Sequence, residues 1–169
     1  MAKDVLDFAH WFVQHLELSR SWPDQARLQK LLFFSWLIHN VNYKVSFFED
    51  DFCAFENGPV IWDILYMQDT EYSDFLTQSL PKYTPEELDT LQLTYEIFGD
   101  AGCDELIELS HESPGWEKYY NESKIYENGK FTGEYDREKQ IISKDELETE
   151  LKMMRNLLYA HKHREEMGY

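Results

Sequence analysis

Hydrophobic residues near the start of the chain recur with the period of an α-helix. The apolar side chains between residues 3 and 16 are Val5, Phe8, Ala9, Phe12, Val13 and Leu16. At 3.6 residues per turn these positions share one face, so an amphipathic helix is predicted over residues 3–16. A second helix is predicted over residues 23–39, because Pro23 suits a first helical turn. Its segment LQKLLFFSWLI is apolar almost all round, which is typical of a helix covered on several sides.

The pattern changes after the second helix. A short aromatic strand is predicted over residues 52–55, followed by the breaker Asn57-Gly58-Pro59. Gly58 is expected to take a positive φ angle, and Pro59 is expected to set up a new helix. The predicted apolar face of that helix consists of Val60, Ile61, Ile64 and Leu65. Residues 68–82 are polar and are expected to be irregular.

Capping signals then predict the next helix. The segment TPEE at residues 84–87 has the form of a capping box, with proline at the first helical position. The predicted apolar face of this helix consists of Leu88, Leu91, Tyr95 and Phe98. Gly99 is a plausible stop signal. A further short helix is predicted over residues 104–111.

The last part of the chain is more polar. Residues 121–140 contain an Asn-Gly pair at 128–129, which favours a small hairpin. The segment SKDE at residues 143–146 has the form of a second capping box. It is predicted to open a final helix over residues 143–164, with Leu147, Leu151, Met154 and Leu158 on one side.

These elements predict a mainly α fold. We expect a compact single-domain bundle of about six helices with a short β-strand or hairpin element, since 169 residues is typical of one domain. The domain is predicted to span residues 1–169, with its core at about residues 5–120, a polar hairpin or loop at 121–140 and a C-terminal helix at 143–164. No run of apolar residues approaches 18, so no membrane span is predicted.

The charge of the chain is strongly negative and unevenly distributed. There are 33 Asp and Glu residues against 16 Lys and Arg, giving a net charge of −17. Residues 49–112 hold seventeen of the acidic residues and a single lysine, Lys82. Such a field repels nucleic acid and anionic membranes and attracts basic surfaces. We therefore predict no direct nucleic-acid binding, no membrane contact, and a partner with a basic surface.

The sequence offers little that is typical of catalysis or metal binding. His161 and His163 are two positions apart and point to different sides of a helix, while His10 and His15 are five apart. The sequence contains no CxxC, HExxH, EF-hand, GxSxG or glycine-rich phosphate motif. The chain is therefore predicted not to be an enzyme, with no catalytic residue, no metal ligand and no cofactor.

The two cysteines, Cys53 and Cys103, are far apart in sequence. A disulfide between them is possible, but two buried thiols in a cytosolic protein are favoured.

Three segments carry a more specific signal. They read RLQKLLFFSWLI at residues 27–38, FCAFENGPVIWDIL at 52–65 and ELIELSHESPGWEKYY at 105–120. In this order and spacing they resemble the SocA-like family, known as the Panacea antitoxin domain, which includes phage-associated GepA proteins. The resemblance covers most of the chain. It departs from the family at the EAW motif, which here reads CAFEN, and at the PW pair, which Gly115 separates.

The resemblance implies a protein-binding antitoxin that acts in the cytoplasm of a bacterium or of a phage-infected host. Such proteins neutralise a partner toxin by direct contact, and some resemble adaptors that deliver a toxin to a protease. Within the motifs, Gln29 and Lys30 leave the apolar stripe and either reach outward or cap a neighbouring segment. Because loops carry function disproportionately, we take as the candidate interface the residues Glu56, Asn57, Trp62, Asp63, His111, Glu112 and Trp116.

Other functions stay open at this point. A phage-encoded acidic inhibitor could imitate DNA and block a nucleic-acid-binding enzyme such as a defence nuclease, because enzymes of that class collect Lys and Arg to contact phosphates. The candidate interface residues could also serve only as a signature of the fold. An enzymatic function would require a pocket that holds His111 beside a cysteine or a carboxylate.

Overall fold

Helices dominate residues 4–168, the part of the chain that the computed structural model describes. The predicted mainly α fold with a small hairpin is confirmed, with nine α-helices over these residues where about six were expected. The elements in chain order are α1 Val5–Leu16, α2 Trp22–Tyr43, β1 Cys53–Phe55, β2 Gly58–Val60, α3 Trp62–Leu65, α4 Asp69–Thr77, α5 Pro85–Phe98, α6 Cys103–Ser110, α7 Pro114–Glu122, β3 Lys124–Glu127, β4 Lys130–Tyr135, α8 Arg137–Gln140, a 3₁₀ helix Lys144–Glu146 and α9 Glu148–Glu166.

Helix α2 lies at the centre of the fold. It packs against α1, α5, α6, α9 and β2, and residues 28–39 of α2 are all buried. This covering on several sides is the arrangement that its apolar sequence predicts. The helix continues to Tyr43, one turn beyond the prediction, and ends where Lys44 adopts a left-handed conformation and its N–H bonds the Asn40 carbonyl.

The first hairpin pairs β1 with β2 in antiparallel register. The strand at residues 53–55 and the positive φ of Gly58, 106°, are as predicted. Pro59 does not set up a helix, however, because the chain at Gly58–Val60 forms β2. Gln29 holds the next residue, Ile61, in an extended conformation by bonding both its N–H and its carbonyl. Helix α3 therefore begins only at Trp62.

The predicted apolar face of that helix is wrong for the same reason. Val60 and Ile61 lie before α3, and Leu65 is 44% exposed, so of the four residues only Ile64 is buried within α3.

Residues 68–82 are not irregular as predicted, because α4 forms at Asp69–Thr77. Gln68 and Glu71 form a capping box at its start. Only Tyr72 and Phe75 are buried on this helix. Two buried residues three positions apart give too short a periodic signal to be recognised against a polar background.

Helix α5 begins with the predicted capping box of Thr84 and Glu87. Its buried face is rotated from the prediction: Leu91 and Phe98 are buried, but Leu88 and Tyr95 are exposed and Thr90 and Thr94 are buried instead. The buried hydroxyls are satisfied, since Thr90 bonds the His39 ring at 2.7 Å and Thr94 donates to the Thr90 carbonyl.

The end of the chain contains two helices that were not predicted, α7 and α8, and one helix start that was misplaced. Helix α7 follows Ser113, whose hydroxyl accepts a hydrogen bond from the Trp116 N–H. The hairpin β3–β4 turns at Asn128-Gly129 as predicted. Ser143 makes no side-chain cap, so the predicted capping box is wrong: a 3₁₀ turn follows it and α9 begins at Glu148.

Candidate functional site

The turn of the first hairpin carries two of the predicted interface residues. Glu56 and Asn57 are exposed between β1 and β2, and Gly58 follows them. A Cβ at Gly58 would overlap the Ser110 hydroxyl and would lie 2.9 Å from Lys30 Cε. The turn is thus pressed directly onto α6 and α2, and only glycine fits there.

His111 and Trp116 hold the opposite side of this turn. The His111 ring donates to the Glu56 carbonyl at 3.0 Å, and the Trp116 indole N–H donates to the Phe55 carbonyl at 2.6 Å. The two rings stack with centroids 4.2 Å apart. Since both bonds go to main-chain carbonyls, these two predicted residues fix the shape of the turn, with Trp116 buried and His111 half-buried.

Trp62 adds an aromatic surface beside the turn. Its ring stacks on Tyr66, with centroids 5.0 Å apart, and meets Phe55 edge-on at 5.5 Å. The Arg137 guanidinium lies over the same indole at 4.4 Å. Tyr66 and Arg137 were not predicted from the sequence. Tyr66 is 59% exposed and four positions after Trp62, a helical spacing that could have revealed it.

We call Phe55, Glu56, Asn57, Trp62 and Tyr66 the turn surface. It separates two open clefts of about 510 Å³ each. One cleft lies against α2 and α3, and the other against the second hairpin and α8. Both clefts are bordered by Phe55 and Glu56. A ridge that presents the exposed Tyr66 ring and the half-buried Phe55 and Trp62 rings between two clefts is an arrangement suited to contact with another protein.

Two predicted residues lie apart from the turn surface. The exposed Asp63 carboxylate bonds the carboxyl of Asp50, and burial together with this neighbour raises the pKa of Asp50 to about 6. Glu112 borders a different cavity of about 120 Å³, lined mainly by apolar side chains of α2 and α9. The structure therefore brings five of the seven predicted residues around one turn.

Gln29 and Lys30 cap a neighbouring segment, one of the two possibilities drawn from the sequence. The Lys30 ammonium is 1% exposed and donates to the Pro59 carbonyl at 3.0 Å. Burial lowers the pKa of Lys30 to about 7. The base of the α2 cleft thus holds a lysine that is only partly charged near neutral pH.

The thiols are poor nucleophiles at neutral pH. Both are free, with Cys53 buried and Cys103 half-buried. Burial raises the pKa of Cys53 to about 11 and also raises the pKa of Cys103. A protonated thiol reacts slowly, because the thiolate is the attacking species.

A row of aromatic rings connects the turn to the second hairpin. Trp116 stacks on Tyr120 at 5.2 Å, and Tyr120 stacks on Tyr135 at 5.6 Å with their hydroxyls 3.0 Å apart. Phe131 and Tyr126 continue the row and are 41% and 58% exposed. The exposed hairpin is therefore attached to the turn through packed rings as well as through the chain.

None of the helices within residues 4–168 is both long and apolar enough to cross a membrane.

Comparison with known proteins identifies one family. Residues 28–117 match the family described as Antitoxin SocA-like, Panacea domain. The matched range runs from α2 into α7 and includes both the turn surface and the residues that hold it. No curated protein and no solved structure gives a significant match to the chain.

Proposed function

From the premise that this chain belongs to the family of SocA-like antitoxins with a Panacea domain, we propose that it binds and neutralises a protein partner through the turn surface. Family membership implies an antitoxin-like role and a protein partner. The observation that carries the assignment of the surface is the stack of the half-buried Trp62 ring on the exposed Tyr66 ring beside the rigid Glu56 turn. We also propose that residues 1–169 form one domain.

The partner has a basic contact surface. The turn surface lies within residues 49–112, where acidic residues outnumber basic ones seventeen to one. Glu56 contributes an exposed carboxylate to the turn surface itself, and complementary charge accelerates association and selects the partner. Rigid aromatic side chains supply contact area at a small entropic cost and are common hot spots.

Replacing Tyr66 with alanine is expected to weaken the complex at least tenfold, because an exposed hot-spot ring is removed and the Trp62 ring loses its stacking partner. The measurement is calorimetric titration against the purified partner protein that co-purifies with the unmodified chain. Tyr159→Ala is the matched control, since Tyr159 is 74% exposed on α9. Equal affinities of the two variants would contradict the proposed surface.

Reversing the charge of the turn is expected to slow association. Glu56→Lys should lower the association rate several-fold at low salt, with a smaller effect at high salt because the steering field is screened. Glu166→Lys, at the end of α9, makes the same charge change away from the turn. Stopped-flow mixing at several salt concentrations measures the rates, and equal slowing by both variants would assign the effect to net charge alone.

The same complex distinguishes two finer forms of the function. A partner whose half-life in cells falls when this chain is present, and recovers in a protease-deficient strain, is being delivered by an adaptor. A partner that stays intact but inactive is neutralised by contact. The alternative of DNA mimicry requires duplex DNA to displace this chain from its partner, whereas binding through the turn surface does not.

A further inference from the structure

A histidine and two carboxylates from two helices meet away from the turn surface. Glu96 belongs to α5, while His161 and Glu165 lie one turn apart on α9. One ligand atom from each residue lies within 4.8 Å of the other two. His161 Nε2 is 3.5 Å from a Glu96 oxygen and 3.3 Å from a Glu165 oxygen.

The nitrogen at the centre of this group is buried and has no hydrogen-bond partner, although the whole side chain is 17% exposed. Both carboxylates are within ion-pair distance, but neither makes a hydrogen bond with it. A buried polar atom without a partner is uncommon and calls for a specific explanation. A bound metal ion would explain this nitrogen, because a metal accepts the lone pair of a neutral imidazole.

The separations fit the edges of a coordination tetrahedron. Zinc binds imidazole nitrogen and carboxylate oxygen at about 2.0–2.1 Å, which places two ligand atoms about 3.3–3.4 Å apart in tetrahedral geometry. The two measured distances from Nε2, 3.3 and 3.5 Å, match this value. An imidazole ligand also disfavours Mg²⁺ and Ca²⁺, which prefer oxygen alone.

We propose that Glu96, His161 and Glu165 bind a divalent transition metal of the Zn²⁺ type, with the fourth position open to solvent. No metal site was predicted from the sequence, because only pairs of histidines were considered. Glu96 lies 65 positions before His161, so no local motif connects them. The i,i+4 spacing places His161 and Glu165 on one face of α9. A bound ion joins the end of α9 to α5 and so stabilises the folded chain.

Zinc binding to the intact chain tests the site. Equilibrium dialysis is done with Zn²⁺ in the presence of excess Mg²⁺, which occupies sites made of carboxylates alone. We expect His161→Ala to bind one zinc ion fewer than the unmodified chain, and to lose a zinc-dependent rise in Tm of about 5 °C at 100-fold excess over Kd. His163→Ala is the matched control, because that ring stacks on Tyr159 instead.

Glu96→Gln supplies a second, independent variant. Glu96 is exposed on α5, so this substitution preserves the fold while removing one ligand. Loss of the same zinc ion in both Glu96→Gln and His161→Ala supports the site. Unchanged zinc stoichiometry in either variant, or a Tm that does not respond to zinc, would overturn it and leave an ordinary ion pair.

Discussion

Replacing Gly58 with alanine is expected to lower the free energy of unfolding by about 3–5 kcal/mol, combining backbone strain with overpacking. The φ angle of 106° is unfavourable for any residue with a Cβ. The added carbon would overlap the Ser110 hydroxyl and come within 2.9 Å of Lys30 Cε. Neither neighbour can move freely, because Ser110 and Lys30 are both buried. Urea denaturation measures the loss.

Gly133→Ala separates the two causes. Gly133 also has a positive φ, 86°, but nothing lies within 4 Å of a Cβ built there. Its substitution should cost only about 1 kcal/mol of backbone strain. Adding Ser110→Ala to Gly58→Ala removes the closest clash and should recover part of the loss. An equal cost at Gly58 and Gly133 would show that close packing of the turn contributes nothing.

The second large effect concerns pH. Stability is expected to rise by about 2 kcal/mol between pH 7 and pH 9, because of Lys30. Burial lowers its pKa from 10.5 to about 7 in the folded protein, so in this range the unfolded chain binds more protons. Stability therefore increases with pH through the window, by up to about 1.4 kcal/mol per pH unit. As the pH falls from 9 towards 7, the stability gained through Lys30 is lost again.

Most other groups with shifted pKa values affect the stability outside the range from pH 7 to pH 9. Burial lowers the pKa of His39 from 6.5, so the effect of this residue on stability is confined to pH values below 7. Burial raises the pKa of both Cys53 and Cys103 from 9.0, and a hydrogen bond to Asp89 raises that of Tyr43 from 10.0, so stability from these acids is lost mainly above about pH 9. Lys144 also has a lowered pKa, but it is present in every variant compared.

Lys30→Met should flatten the stability profile between pH 7 and pH 9, because methionine fills similar space and carries no proton. Lys82→Met is the matched control, since Lys82 is exposed. Urea unfolding at a series of pH values gives both curves. If Lys30→Met keeps the slope of the unmodified chain, the dependence on pH has another origin.

Elements with strong local signals were predictable from the sequence. The apolar length of α2, the Thr84 capping box and the Asn128-Gly129 turn depend on nearby residues and appear as predicted. Strand β2 was not predictable, because the bonds of Gln29 to Ile61 span 32 positions of the chain. Contacts of that kind override local preference.

The candidate site divides in the same way. Loop chemistry drew attention to Glu56 and Trp116, since breakers and caps are local, and both residues lie at the first turn. Arg137 could not be assigned to Trp62 from the sequence, because 75 positions separate them and nothing in the pattern of residues 121–140 marks the contact. Glu96 and His161 also lie far apart in sequence and come together only because α5 and α9 are neighbours in the fold.

The bonds from α2 to the segment after the turn also bear on which insertions and deletions the chain can accept. Neighbouring residues Gln29 and Lys30 bind the carbonyls of Ile61 and Pro59, two positions apart on one side of an extended chain. One residue added or removed between Pro59 and Ile61 would turn one carbonyl to the other side. The exposed turn at Asn128-Gly129 of the second hairpin carries no such constraint, so length variation should be tolerated there first.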